Sequence, residues 1–248
     1  MDENRASLLT APMGMFLAWS ASVFLIRVWA KLRTKTWGLD DYCLSLALIT
    51  IVVQVACTYG ALRLGYGRRL TTIEPDNRPA LEKLLYTVDF LYVLALGFCR
   101  ASAAFFISHM AHSGPQTGSA RMLAAGSGVW AIASLFVVAF RGDVSRPWST
   151  LDKPQPLYIR WLATEILGMV IELAIWFLSI HLVWSLQMTL RKRVYIVSAF
   201  GVKLFVFVFI GFRLAYLTPE RNSDPTLTSI MPALFTQAVL HFSIIASD

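Results

Sequence analysis

The chain has 248 residues, of which 56% are hydrophobic and only 15% are charged, and its formal net charge is +7. Soluble domains usually carry about 25% charged residues, so this composition excludes an ordinary soluble fold and indicates a membrane protein. The basic residues are spread over several short segments and do not form one stripe. This pattern excludes nucleic acid as a partner and favours contact with anionic membrane lipids.

Seven stretches of mostly apolar residues follow one another along the chain. A helix needs roughly 20 such residues to cross the hydrocarbon core, because its backbone polar groups must be satisfied within the segment. We therefore predict an all-α membrane protein, in which residues 1–248 form a single seven-transmembrane helix bundle. The predicted spans are residues 6–28, 42–62, 84–110, 122–140, 161–187, 194–217 and 226–247.

Three polar segments between the spans predict loops or turns. Residues 63–83 contain Pro79 and other turn residues, which predicts a loop with a short interfacial piece. Residues 112–121 predict a turn containing Gly, Ser and Pro, and residues 141–160 predict a second long loop. The fourth span is rich in small residues in its first half, which suits close helix packing.

The charge of the loops does not decide the orientation of the bundle. One side carries its basic residues in compact loops, and the other carries more of them, diluted by acids. The positive-inside rule counts Lys and Arg in short loops near the cytoplasmic ends of the spans. The number of basic residues favours the second side as cytoplasmic, whereas their density favours the first. The predicted location is an integral, multi-pass position in the plasma membrane or in an endomembrane.

Four ionisable residues inside the predicted spans are candidate ligand-binding residues: Asp89, Glu165, Glu172 and Arg213. Ionised side chains near the bilayer centre are costly, so they usually face a partner or a wet cavity. The spacing of Glu165 and Glu172 puts both on one face of a helix, about 10 Å apart. Antiparallel packing of spans five and six places Arg213 at their level. We therefore predict an ion pair between Arg213 and one of the two glutamates.

The depths of these residues predict a polar vestibule on one side of the bundle. Asp89 enters from the same side as the Arg213 pair, whereas Lys203 is expected nearer to His181. Two alternatives stay open: buried bridges can fix helix register and bind nothing, or Glu172 and Asp89 are catalytic carboxylates. His181 and His241 are single histidines on apolar faces, which favours packing or hydrogen bonding, and no metal site is predicted.

Several short motifs are spread along the chain, from the first inter-helix loop into the last one. They are Arg27-Val28-Trp29-Ala30-Lys31, Trp37-Gly38-Leu39-Asp40-Asp41-Tyr42, Gly65-Tyr66-Gly67, Pro147-Trp148, Leu186-Gln187-Met188, Ala199-Phe200, Arg213-Leu214 and Asp224-Pro225-Thr226. Together these motifs resemble the fungal rhodopsin-like family of seven-helix integral membrane proteins.

The resemblance implies a seven-helix bundle with its N-terminus outside the cytoplasm. One departure is that many relatives have a cysteine shortly before the Pro147-Trp148 motif, where this chain has Arg141-Gly142-Asp143. A retinal pigment needs a lysine for a Schiff base, and in microbial rhodopsins that lysine lies in the seventh helix. Residues 226–247 contain no lysine, and Lys203 in span six would require a different geometry. We therefore expect no retinal and no other cofactor.

Two functions from different classes are compatible with these observations. The first is receptor-like sensing of a small hydrophobic molecule, with a cytoplasmic signalling partner at the short basic loops. The second is a membrane-embedded component of a fungal secondary-metabolite pathway, in which Glu172 or Asp89 protonates an alkene or epoxide as an acid-catalysed cyclase does. A structural or accessory membrane protein is a third interpretation.

Overall fold

The computed structural model describes residues 6–111, 115–140, 154–185, 194, 197–198, 201–218 and 226–247. Helices account for nearly all of these residues, and none of them lies in a strand. The chain is an all-α, multi-pass membrane protein. Its helices are α1 (Ala6–Thr34), α2 (Leu39–Arg63), α3 (Arg78–Met110), α4 (Pro115–Ala139), α5 (Pro154–Ser185), α6 (Val206–Leu217) and α7 (Ile230–Ile245).

Five of these seven described helices are long and apolar enough to cross a membrane, namely α1 to α5. The helix α6 has 12 residues and follows directly from a 3-10 turn at Lys203–Phe205, and α7 has 16 residues. Both are shorter than the roughly 20 residues that a perpendicular crossing requires. Five helices therefore qualify as membrane spans by length and composition, and the predicted total of seven stays a prediction.

Three helices begin six or seven residues earlier than the predicted spans. Helix α3 begins at Arg78, α4 at Pro115 and α5 at Pro154, so parts of the predicted loops and turn are helical. The reason is that proline fits the first turn of a helix, where its missing N–H has no partner to lose. In the sequence, the same prolines indicate loops. The loop before α3 does contain the short structured pieces expected there, two 3-10 turns at Leu70–Thr72 and Pro75–Asn77.

Helix α3 is the centre of the bundle. It contacts α2, α4, α5 and α7. Of its most apolar stretch, 61% is buried, compared with 17% for α1. Close contact with α4 depends on small residues, because a Cβ at Gly97 would lie 2.8 Å from that of Ala131. The prediction that the fourth span suits close packing is confirmed at this position.

Candidate functional site

Arg213 of α6 forms a buried ion pair with Glu165 of α5. Arg213 Nη1 lies 2.8 Å from Glu165 Oε1, and the two residues are 3% and 0% exposed. Tyr92 of α3 donates its hydroxyl to the same carboxylate oxygen at 2.8 Å. Arg213 Nε donates to Thr236 Oγ1 of α7 at 2.9 Å. The predicted ion pair is therefore confirmed for Glu165, and it links four helices.

Two aromatic rings cover the Arg213 guanidinium. Its Cζ lies 4.6 Å from the centre of the Tyr92 ring and 4.3 Å from that of Trp161. Trp161 lies one turn before Glu165, so α5 presents the indole and the carboxylate on one face. Such cation–π contacts contribute about 2 kcal/mol each when they are desolvated. The other oxygen of the carboxylate, Glu165 Oε2, has no hydrogen-bond partner among the described residues.

Glu172 belongs to a second buried cluster, together with Arg100 of α3 and Lys203. Glu172 Oε1 accepts a hydrogen bond from Arg100 Nε at 3.2 Å, and Oε2 lies 3.6 Å from Lys203 Nζ. The expectation that Lys203 lies nearer to His181 is wrong for its amine. Backbone levels do not include the reach of the long lysine side chain, which extends along a helix to its partner.

The Arg100 guanidinium has aromatic and backbone neighbours at close range. Its Cζ lies 3.9 Å from the centre of the Trp130 ring, whose indole N–H donates to the Thr164 carbonyl at 3.1 Å. A Cβ at Gly168 would lie 2.5 Å from Arg100 Nη2. The spacing of Glu165, Gly168 and Glu172 puts them on one face of α5. That face therefore carries two carboxylates and, between them, the space that the guanidinium occupies.

A third ionic cluster lies where α1 ends and α2 begins. Arg27 contacts Asp40 and Asp41, with both N···O distances at 2.9 Å, and Lys31 Nζ lies 3.1 Å from Asp41 Oδ2. Arg27 also donates to the Ser247 carbonyl at 3.0 Å. The sequence did not predict an ionic cluster at these residues. Two cations four residues apart, followed closely by two adjacent acids, were a signal for this cluster.

Asp89 is half-buried on α3. Burial raises the pKa of the Tyr66 phenol, and the Asp89 carboxylate raises it further. The Tyr66 hydroxyl donates to the Ser229 carbonyl at 3.0 Å, which links the loop after α2 to the start of α7.

Of the four candidate ligand-binding residues, the structure pairs Glu165 with Arg213 and places Glu172 with other cations. Their role in binding a ligand stays a prediction.

The charged residues do not line an open vestibule. Glu165, Glu172 and Arg213 are at most 4% exposed, so the helices pack around them. The expectation of an open polar vestibule on one side is therefore wrong for these three residues. Cations on neighbouring helices surround the two carboxylates. A cavity of about 380 Å³ lies elsewhere, between Asp40, His109 and Arg121, where α3 ends and α4 begins.

The arrangement gives no support to the catalytic alternative. A cation faces each oxygen of Glu172, which suits an ion-pair partner and not a proton donor. Among the described residues, no group of three or more His, Cys, Asp and Glu could hold a metal ion. His241 Nδ1 lies 2.8 Å from Ser20 Oγ, so the hydrogen-bonding interpretation of this histidine is confirmed, and His181 is exposed.

Comparison with known proteins identifies a family over most of the chain. The family model of the fungal rhodopsin domain matches residues 26–247. No curated protein matches the chain, and no solved structure matches it. The matched range contains all three ionic clusters, from Arg27 to the Ser247 carbonyl.

Proposed function

The chain belongs to the fungal rhodopsin domain family, and on that premise we propose that it is a receptor-like membrane protein that senses a small molecule. The proposal rests on one carboxylate oxygen, Glu165 Oε2, and on its lack of a hydrogen-bond donor among the described residues. This carboxylate oxygen is buried without a hydrogen-bond donor in the part of the chain that the structure describes. A buried acceptor without a donor is destabilising by about 1–3 kcal/mol, and more when it is charged. A bound molecule that donates a hydrogen bond would recover this energy.

The surroundings of Glu165 suggest the chemistry of the ligand. The rings of Tyr92 and Trp161 stand edge to face, with centroids 5.8 Å apart, and offer apolar surface beside the carboxylate. Small-molecule sites typically combine such aromatic walls with a few polar groups that fix orientation. We propose a small, mostly apolar ligand that carries one hydroxyl or amine group and donates it to Glu165 Oε2.

Binding at this point would be transmitted to four helices. Arg213 joins α5 through Glu165 and α7 through Thr236, and its guanidinium lies over Tyr92 of α3. A ligand shifts a conformational equilibrium only if its affinity differs between the two states. A hydrogen bond to Oε2 would supply such a difference, because it draws negative charge away from Oε1 and so weakens the Arg213 contact that holds α6 against α5. We expect the resulting movement of α6 to be the receptor response.

We propose that the N-terminal side of the bundle faces outside and that a cytoplasmic signalling partner meets the opposite side. The turn between α1 and α2 presents basic residues there, including exposed Arg33 and Lys35. An N-terminal epitope tag tests the orientation. Antibody binding on intact cells supports the proposal, and binding only after permeabilisation contradicts it.

The central experiment is a ligand screen on the purified full-length chain in lipid nanodiscs. Small amphiphilic alcohols and amines are tested for a concentration-dependent rise in the unfolding temperature, because a ligand that binds the folded state stabilises it. Each active compound is then tested on Glu165→Gln and on Tyr92→Phe, which removes one donor from the carboxylate and keeps the ring. Glu172→Gln is the matched control, since it changes a buried carboxylate of the other cluster.

The expected result is a ligand-dependent stabilisation that Glu172→Gln retains and Glu165→Gln loses. Tyr92→Phe is expected to tighten binding, because it leaves the carboxylate with fewer competing donors. Equal stabilisation of wild type and Glu165→Gln would show that this carboxylate does not recognise the ligand. A library without any active compound would contradict the proposed ligand class.

A further inference from the structure

The cluster around Glu172 contains three buried N–H groups that lack an acceptor. Arg100 Nη1, Lys203 Nζ and Trp176 Nε1 have no hydrogen-bond partner within the described ranges. Lys203 Nζ is 3.6 Å from Glu172 Oε2, which is beyond ordinary hydrogen-bonding distance. Buried donors are almost always satisfied in native proteins, so three in one region indicate that an acceptor is missing.

These donors come from neighbouring positions on three elements. Arg100 and Lys203 both contact Glu172, and Trp176 follows Glu172 by one turn of α5. The indole nitrogen of Trp176 lies 3.6 Å from the position that a Cβ of Gly201 would take, two residues before Lys203. Arg100 and Lys203 therefore meet at Glu172, and Trp176 adds its indole N–H one helical turn further along α5, beside the segment that leads into α6.

Among the residues that the structure describes, the charge of the cluster also lacks a balancing partner. Arg100 and Lys203 carry two positive charges and Glu172 carries one negative charge, so the three residues sum to +1. The Arg213–Glu165 pair, in contrast, is neutral. Arg100 and Lys203 are 1% and 3% exposed, so bulk water does not screen the excess charge. An uncompensated charge at this depth is unfavourable by several kcal/mol.

We infer that Arg100, Lys203 and Trp176 bind a small monovalent anion of the halide class, for which chloride is the natural candidate. One negative charge neutralises the cluster, and an anion accepts hydrogen bonds without donating any. A water molecule would leave the charge in place and would bring two protons that need acceptors. Phosphate would bring about two negative charges and much more volume. A halide is therefore the species that fits both the donors and the charge.

The inference is tested by replacing chloride with gluconate on the purified chain at constant pH and ionic strength. Wild type is expected to gain thermal stability with chloride in a saturable way. Lys203→Met makes the cluster neutral and is expected to abolish this dependence. Trp176→Phe removes one N–H and keeps an aromatic ring, so the chloride midpoint is expected to rise about tenfold. Lys83→Met, at an exposed lysine of α3, is the matched control and is expected to behave as wild type.

A second measurement locates the ion. Crystals grown with bromide are expected to show one anomalous peak beside Arg100 and Lys203, and Lys203→Met crystals are expected to lack it. The inference is overturned if chloride and gluconate stabilise wild type equally, or if Trp176→Phe and Lys203→Met both keep the wild-type chloride midpoint. A site without an anomalous peak would also overturn it. Glu165→Gln is expected to keep the chloride response, which separates this site from the proposed ligand site.

Discussion

Substituting Gly168 by alanine is expected to destabilise the bundle, although the same change usually stabilises a helix. The added methyl carbon would lie 2.5 Å from Arg100 Nη2 and 3.0 Å from its Cζ. The guanidinium cannot move freely, because the Trp130 ring lies 3.9 Å away and Glu172 holds Nε at 3.2 Å. Overpacking of this kind costs about 1–3 kcal/mol, whereas alanine gains about 1 kcal/mol in helix propensity. We expect a net loss of up to about 2 kcal/mol in the free energy of unfolding.

The assay is reversible unfolding in mixed detergent micelles, with a double-mutant cycle that removes the guanidinium. Gly126→Ala is the matched control, because a Cβ there would meet no described atom within 4 Å, and it is expected to gain up to about 1 kcal/mol. In an Arg100→Leu background, Gly168→Ala is expected to be neutral or stabilising. The reasoning is refuted if Gly168→Ala is as stable as wild type, or if its cost persists without the guanidinium.

Three further substitutions test the other contacts. Arg213→Met leaves Glu165 buried without its cation and is expected to cost about 3–5 kcal/mol, while adding Glu165→Gln recovers part of it; purely additive losses would contradict a direct pair. Arg27→Met is expected to increase hydrogen exchange at the end of α7, where Arg27 bonds the Ser247 carbonyl, and unchanged exchange would contradict that anchoring. Gly97→Val is expected to cost about 1–3 kcal/mol by forcing α3 away from Ala131, and full wild-type stability in the same micelle assay would contradict close packing there.

The apolar pattern predicted the fold because length and hydrophobicity are local properties of the chain. The positions of α1 to α5 follow directly from it. Helix starts were less predictable, since a proline such as Pro115 or Pro154 is compatible both with a loop and with the first turn of a helix. Only the neighbouring structure distinguishes these two cases.

The candidate site was predictable where helix geometry alone determined the pairing. Counting residues from the turn between two antiparallel helices places Arg213 at the same depth as Glu165. The structure contains that ion pair. The partners of Glu172 were not predictable, because they depend on which helices are neighbours and on how far long side chains reach. Arg100 comes from α3 and Lys203 from the segment before α6, and no spacing in the sequence relates these residues to α5.

The contacts between α1 and α7 have a consequence for the biosynthesis of the protein. Ser20 meets His241, and Arg27 meets the Ser247 carbonyl, so residues made early pair with residues made more than 200 positions later. A nascent chain that lacks α7 therefore leaves the Ser20 hydroxyl with only the Leu17 carbonyl of its own helix, and it leaves Arg27 without the Ser247 carbonyl. Closure of the bundle waits for α7, and α1 is exposed until then to the chaperones and proteases that inspect unassembled membrane helices.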